Sequence, residues 1–275
     1  MPLPGNFLFS QGNLQDYVEC RRRFLLRHIN KLAWPAIKSE PVIEQEKAMF
    51  RGQRFHRLIN GYFLGIPAGR LAEMAEASDT LDWWRYFLVF LSGHPEIQTA
   101  TKKPEVAYQV NINDHRLIAR YDLLVISPEK LIIFDWKTSG KRPRRNVLAA
   151  RLQTRIYPYL LSELKAESIE PEQVSMVYWF SNYPDNSERF DYDRAMYQQD
   201  RTYLVKLVNE IAVLGVEEYT LTDRIENCRY CEYRSLCNRG IEAGEINDEP
   251  GEIVDEGEML DTTQFDFTTI PEIEL

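Results

Sequence analysis

Apolar positions recur at helical spacing through the first hundred residues and then change to alternation and short apolar runs, which predicts a helical segment followed by a sheet-bearing core. Ser10 is placed to cap a first helix, because Leu14, Tyr17, Val18, Phe24, Leu25 and Ile29 keep an approximately helical spacing. Arg21, Arg22, Arg23 and Arg27 interleave with them, and Cys20 is expected in the middle of that helix. A second helix is expected over 43–64, carrying Gly52 and His56, and a more polar helical pair over 70–93, with Trp83, Trp84 and Phe87 as core residues. Beyond Pro104 three strands follow one another, 105–112, 116–126 and 131–136, and the turn Ser127-Pro128-Glu129-Lys130 joins the last two as a hairpin. A basic loop, Lys141-Arg142-Pro143-Arg144-Arg145, leads into a helix over 146–164, a buried strand near 174–180 and a helix over 195–214. From 242 onward, low apolar periodicity and high charge predict disorder. No internal repeat is evident.

A chain of 275 residues, 44% hydrophobic and 27% charged, can bury a substantial core as one elaborated domain or two small ones. It contains no apolar run of the roughly 18 residues a membrane span needs, and its start, MPLPGNFLFSQG, lacks the pattern of a signal peptide. A soluble, cytoplasmic protein without a membrane partner is expected.

The formal net charge of −9 is unevenly spread, since residues 240–275 hold 12 acidic residues and no Lys or Arg, leaving 33 basic against 30 acidic residues elsewhere. A mildly basic body with an acidic appendage points to a nucleic-acid binder, and describes equally well a protein whose tail serves solubility. If the body binds DNA, the tail is expected to compete for the same groove as a DNA mimic.

Candidate chemistry starts at the hairpin. With a four-residue loop at 127–130, Ile126 pairs with Leu131, and counting back along both strands sets Asp122 opposite Asp135. Opposed residues project from one face with Cβ atoms about 4.5–5.5 Å apart, where two carboxylates repel unless a cation lies between them. Lys137, two residues beyond Asp135, belongs to the same face. Such a trio supports phosphodiester hydrolysis: the carboxylates hold Mg²⁺ or Mn²⁺, and Lys137 orients the attacking water or stabilises the charged transition state. The run LIIFDWK reads as a central strand whose polar end emerges at a site. A surface salt-bridge cluster would use the same three residues, so further residues must decide.

Gly52-x-x-x-His56, Arg120-Tyr121-Asp122, Asp135-Trp136-Lys137 and Gln153-x-x-x-Tyr157 occur in that order, and the ordered set resembles the RecB-like branch of the PD-(D/E)XK nuclease superfamily. The resemblance covers about 9–239. It implies an α/β (α+β) fold with a mixed central sheet flanked by helices, a restriction-endonuclease-like core, and a helical insertion on its N-terminal side. It implies one nuclease domain over 1–241, with a helical part at about 10–103, a catalytic core at about 104–182, and a C-terminal helix and cysteine segment at about 195–239. The acidic tail, 242–275, lies outside it. Carried over residue by residue, His56, Asp122, Asp135 and the backbone carbonyl of Trp136 become metal ligands and Lys137 the catalytic lysine. An imidazole beside carboxylates suits Mn²⁺ at least as well as Mg²⁺. Gln153 and Tyr157, four apart on a helix, share a face from which they reach the substrate strand or the lysine. Pro158 departs from the usual pattern and is expected to kink that helix or remove a hydrogen bond.

The four cysteines are Cys20, alone near the start, and Cys228-x-x-Cys231-x₅-Cys237. Four thiolates satisfy either tetrahedral zinc or a cubane cluster, and disulfides are disfavoured in a reducing cytoplasm. A zinc ribbon takes two close pairs, whereas here one ligand comes from 208 residues upstream, so a shared metal would tie the two ends together. The arrangement, with the aromatic-basic stretch YVECRRRFLLRHI around Cys20, resembles the iron-staple nucleases, which include AddB-type helicase–nuclease subunits and CRISPR-associated RecB-like nucleases. That resemblance implies a [4Fe–4S] cluster, with Zn²⁺ as the alternative.

Basic grooves and aromatic faces hold single-stranded DNA. Arg21, Arg22, Arg23, Arg144, Arg145 and Tyr157 are the candidates here. The resulting expectation is a metal-dependent exonuclease on single-stranded DNA or DNA ends, in repair, recombination or CRISPR adaptation, with a helicase or CRISPR integration proteins as partners. The alternative is a catalytically idle DNA-binding or scaffold subunit of such a complex, against which stand the intact His56, Asp122, Asp135 and Lys137.

Overall fold

The alternation beyond Pro104 becomes a mixed sheet of six strands in a computed structural model that describes residues 3–34, 40–164 and 168–240. Its spine is the hairpin pair β2 (Thr101–Ile112) and β3 (His115–Ile126), antiparallel in one register from end to end apart from a single lapse at Glu105. The other edge of β3 is shared: β1 (Leu8–Ser10) pairs parallel with Arg116 to Ile118, and β4 (Leu131–Lys137) pairs antiparallel with Leu123 to Ile126. β4 then pairs parallel with β5 (Val174–Phe180), and β5 antiparallel with β6 (Glu188–Asp191). The C-terminal ends of β1 and β4 therefore converge on the stretch of β3 between Ile118 and Leu123, which neither of them covers.

Helices cover both faces, each over its own apolar core. One core joins β3, β4 and β5 to α1 (Gln11–Glu19), α8 (Leu152–Leu164) and α9 (Arg194–Val213) through Phe9, Leu14, Ile156, Leu160, Leu204 and Val208. The other joins the sheet to α3 (Glu40–Phe63), α4 (Ala68–Ala77) and α5 (Leu81–Ser92), with Trp83, Trp84 and Phe87 buried as expected. The short helices α2 (Arg21–Phe24), α6 (Pro95–Thr99) and α7 (Arg145–Ala150) complete the set. None of the helices is long and apolar enough to cross a membrane among the described residues. The mixed sheet between helical layers is the restriction-endonuclease-like architecture that the resemblance implied.

Two helices expected to be continuous are broken. Ser10 caps α1 in a reciprocal capping box with Asn13. Cys20 then adopts an extended conformation (φ −161°, ψ 106°), ends α1 and starts α2, its Sγ accepting the Arg23 N–H at 3.4 Å, and the turn 25–29 widens to a π-helix. Cys20 thus stands at a corner, where its thiol leaves the helical cylinder. Arg151 (φ −68°, ψ 142°) splits 146–164 into α7 and α8. Pro158 does not end α8. The tail expected to be disordered, 242–275, lies outside the described residues.

Candidate active site and cysteine cavity

The hairpin register holds from Ile126↔Leu131 to Leu123↔Phe134 and stops one position short of the aspartates. Asp122 is where both neighbouring ladders lapse. On the β2 side, pairing skips from Pro104↔Leu123 to Val106↔Tyr121, leaving Glu105, with a left-handed φ of +47°, opposite Asp122. Strict side-chain alternation slips at the same place, since Tyr121 lies in the α8-side core and Leu123 in the α3-side core. A carboxylate replaces the missing backbone pair, Asp122 Oδ2 accepting the Trp136 N–H at 2.8 Å.

Into this gap α3 brings His56, whose Nδ1 stands 3.4 Å from Asp122 Oδ1. His56, Glu105 and Asp122 each offer a ligand atom, all within 4.8 Å of one another. Glu105 was not anticipated from the sequence; no motif marks it, and its strained backbone is visible only in the fold. Helix α3 comes close because residue 52 is glycine: a Cβ there would meet Thr138 Oγ1 at 2.5 Å, just beyond β4.

Asp135, 2% exposed, is held by α8 and its charge also reaches Glu105. Lys137 Nζ lies 3.0 Å from Asp135 Oδ2 and donates to Gln153 Oε1 at 2.8 Å, while Gln153 Nε2 donates to Asp135 Oδ1, so Gln153 holds both residues. Tyr157, a turn further along α8, is 3% exposed and packs edge-on against Tyr121 at 5.0 Å, which leaves it no free face for base stacking. The Trp136 side chain sits in the α3-side core.

Electrostatics mark the site as one short of positive charge. Burial, then the negative charge of Asp122 and more weakly that of Asp135, push the Glu105 carboxyl up to about 7 against the pull of Arg120 and His56. Burial also raises Asp122, but His56, the Trp136 N–H and Lys137 outweigh it and keep its carboxyl below the usual range. A donor set of one imidazole, the buried and ionised Asp122, and the half-buried Glu105, whose ionisation its neighbours disfavour, fits a divalent cation.

The cysteines also meet. Cys20, Cys228, Cys231 and Cys237 line one small cavity, and none is in a disulfide. The polypeptide ties the same two ends: Arg22 N–H donates to the Thr220 carbonyl at 3.0 Å, Asn227 Nδ2 to the Glu19 carbonyl at 3.0 Å, and Trp34 Nε1 to Ser235 Oγ at 2.9 Å.

Most of the arginines proposed for DNA have structural partners. Arg23 is 7% exposed and ion-paired with Asp16 and Glu19, so it is not available on the surface. Arg21 pairs with Glu210 of α9. Arg142 and Arg145 both hold Glu188 of β6. Lys141 and Arg144, in the same loop, are exposed. Arg22 is half-buried beside the cysteine segment.

The family model for the PD-(D/E)XK nuclease superfamily matches residues 8–238. Among solved structures, a candidate exonuclease from Eubacterium rectale is similar to this chain with a TM-score of 0.50 at 10% identity, over 90% of this chain and 92% of that one. The crystal structure of SSO0001 is similar at 16% identity and a TM-score of 0.41, over 84% of this chain and 85% of that one. No match was found among curated proteins.

Proposed function

The chain belongs to the PD-(D/E)XK nuclease superfamily, and on that premise we propose that it is an exonuclease cleaving single-stranded DNA or DNA ends with Mg²⁺ or Mn²⁺. The observation that carries this reading is the convergence of His56, Glu105 and Asp122 within 4.8 Å, in the sheet gap that Asp135 and Lys137 adjoin. His56, Glu105 and Asp122 would hold the cation, with Asp135 and the Trp136 carbonyl added by the resemblance. When bound, the ion activates water and neutralises phosphate charge. Lys137, fixed by Gln153 and Asp135, carries a positive charge at the strand end for the phosphate or the attacking water. Asp122 also fixes the end of β4, which carries Asp135 and Lys137, by accepting the Trp136 N–H. Lys141 and Arg144 are the contacts proposed for the DNA backbone.

At the four cysteines we favour a [4Fe–4S] cluster over zinc. The preference rests on the one-plus-three arrangement of the cysteines, with one of them 208 residues upstream of the other three, and on its resemblance to the iron-staple nucleases. Placement in repair, recombination or CRISPR adaptation, beside a helicase or integration proteins, rests on the resemblance of the cysteine arrangement.

The test is cleavage of end-labelled single-stranded DNA with Mn²⁺. Asp135→Ala and Lys137→Ala are expected to abolish it, and activity equal to wild type in both would refute the assignment.

A further inference from the structure

The cysteine cavity has a charged lining that the metal assignment leaves unexplained. Besides the four cysteines, Arg23, Arg234 and Arg239 line it, and no carboxylate does. Arg234 is 3% exposed, its Nη1 donating to the Cys231 carbonyl at 3.1 Å, and Arg239 Nη2 donates to the Thr222 carbonyl at 3.1 Å. Arg23 is balanced by Asp16 and Glu19, whereas Arg239 has no ion-pair partner among the described residues. A guanidinium is always charged and costly to desolvate, so the charge of Arg239, uncompensated among the described residues and added to a lining that holds no carboxylate, favours an anion inside the cavity.

Resting on the cluster reading above, we propose that Arg23, Arg234 and Arg239 form a cationic collar that raises the reduction potential of a cluster held by Cys20, Cys228, Cys231 and Cys237. A four-iron cluster with four thiolates is a dianion when oxidised and a trianion after gaining one electron. Positive charge beside it in a poorly solvated cavity stabilises the trianion more, so reduction becomes easier. The same charge resists loss of the cluster by offsetting repulsion among the thiolates.

Arg239 is the position to change, because it is half-buried and makes the fewest structural contacts of the three. Wild type, Arg239→Gln and Arg239→Lys are reconstituted anaerobically with iron and sulfide, assayed for bound iron, and titrated with dithionite while the reduced cluster is followed by electron paramagnetic resonance. The glutamine variant is expected to titrate at a more negative potential, and the lysine variant to stay near wild type. If Arg239→Gln sheds its iron, Arg239→Lys is expected to keep it; iron loss from both overturns the charge argument. An unshifted midpoint in an iron-replete Arg239→Gln protein overturns the collar alone. Wild-type protein with zinc and no iron overturns the cluster reading and the collar with it.

Discussion

Gly52 shows how a single missing atom sets the site. Any Cβ at 52 would press on Thr138 Oγ1 at 2.5 Å, and a β-branched side chain has little room to yield. Gly52→Ala is therefore expected to push α3, and His56 with it, away from Asp122, at a cost of about 1–3 kcal/mol from overpacking. Adding Thr138→Ala removes the clashing oxygen. The double variant should regain both thermal stability and Mn²⁺ affinity, and failure to regain either would mean that the close approach is incidental. Glu105 makes a second residue-level case: Glu105→Gln keeps the shape and removes the charge, and should weaken Mn²⁺ binding at least about tenfold by titration calorimetry. Unchanged affinity would remove Glu105 from the ligand set. The contrast between these two residues explains what was legible. Gly52 and His56 stand at a fixed spacing on one helix, so they belong to a readable motif, as do Asp122, Asp135 and Lys137 on adjacent strands. Glu105 reaches the site through a left-handed turn of its backbone opposite Asp122, a conformation no residue pattern announces.

Elements were legible when they were long enough to show a period. The hairpin of β3 and β4 followed from loop length alone, and α3, α4, α5 and α9 from apolar spacing. The three-residue β1 and four-residue β6 are too short to display alternation, yet β1 supplies one wall of the gap at Asp122 and β6 carries Glu188. Helical spacing also ran unbroken through Cys20 and Arg151, because side-chain periodicity does not register a single extended residue. In the basic loop, sequence could not divide the arginines by task. Arg142 and Arg145 are anchored on Glu188, and Lys141 and Arg144 are left exposed. Lys141→Ala and Arg144→Ala are expected to weaken DNA binding and each to lower the salt slope by about one, whereas Glu188→Gln should lower stability with little change in that slope. Equal slopes in all variants would take this loop out of the DNA interface. At the other end, burial raises the Asp16 carboxyl, but His28, Arg23 and Arg27 outweigh burial and bring it down to about 2. Its folded value lies below its unfolded one, so its stabilisation, of the order of 2 kcal/mol, is complete above pH 4 and fades as pH falls toward 2. Asp16→Asn should flatten that part of the acid denaturation curve, and an unaltered curve would locate the acid sensitivity elsewhere.

At the scale of the whole molecule, the class of fold and the superfamily could be read before any coordinate, because an ordered motif set spread over successive elements constrains the whole chain. Charge is the property that the fold alone leaves open. The body carries 33 basic and 30 acidic residues, and the last 36 residues add 12 acidic ones with no counter-charge. Several of the body's arginines are consumed in ion pairs, among them Arg21, Arg23, Arg27 and Arg155. The basic surface left for a polyanion is therefore smaller than the composition suggests, and a tail of this charge is a strong competitor for it. Binding to a phosphate backbone releases counterions, and a tethered polyanion removes part of that gain by occupying cationic positions first. Deleting 242–275 is accordingly expected to raise affinity for single-stranded DNA at low salt by severalfold and to steepen the dependence of affinity on salt. The two chains should converge at high salt, where the tail's charge is screened within a few ångströms. The measurement is fluorescence anisotropy across a salt series with the full chain and the truncated one, using catalytically inactive Lys137→Ala protein in both arms to prevent cleavage. Identical affinity and identical slope would show that the tail does not contend for the DNA groove, leaving solubility as the role its charge can serve.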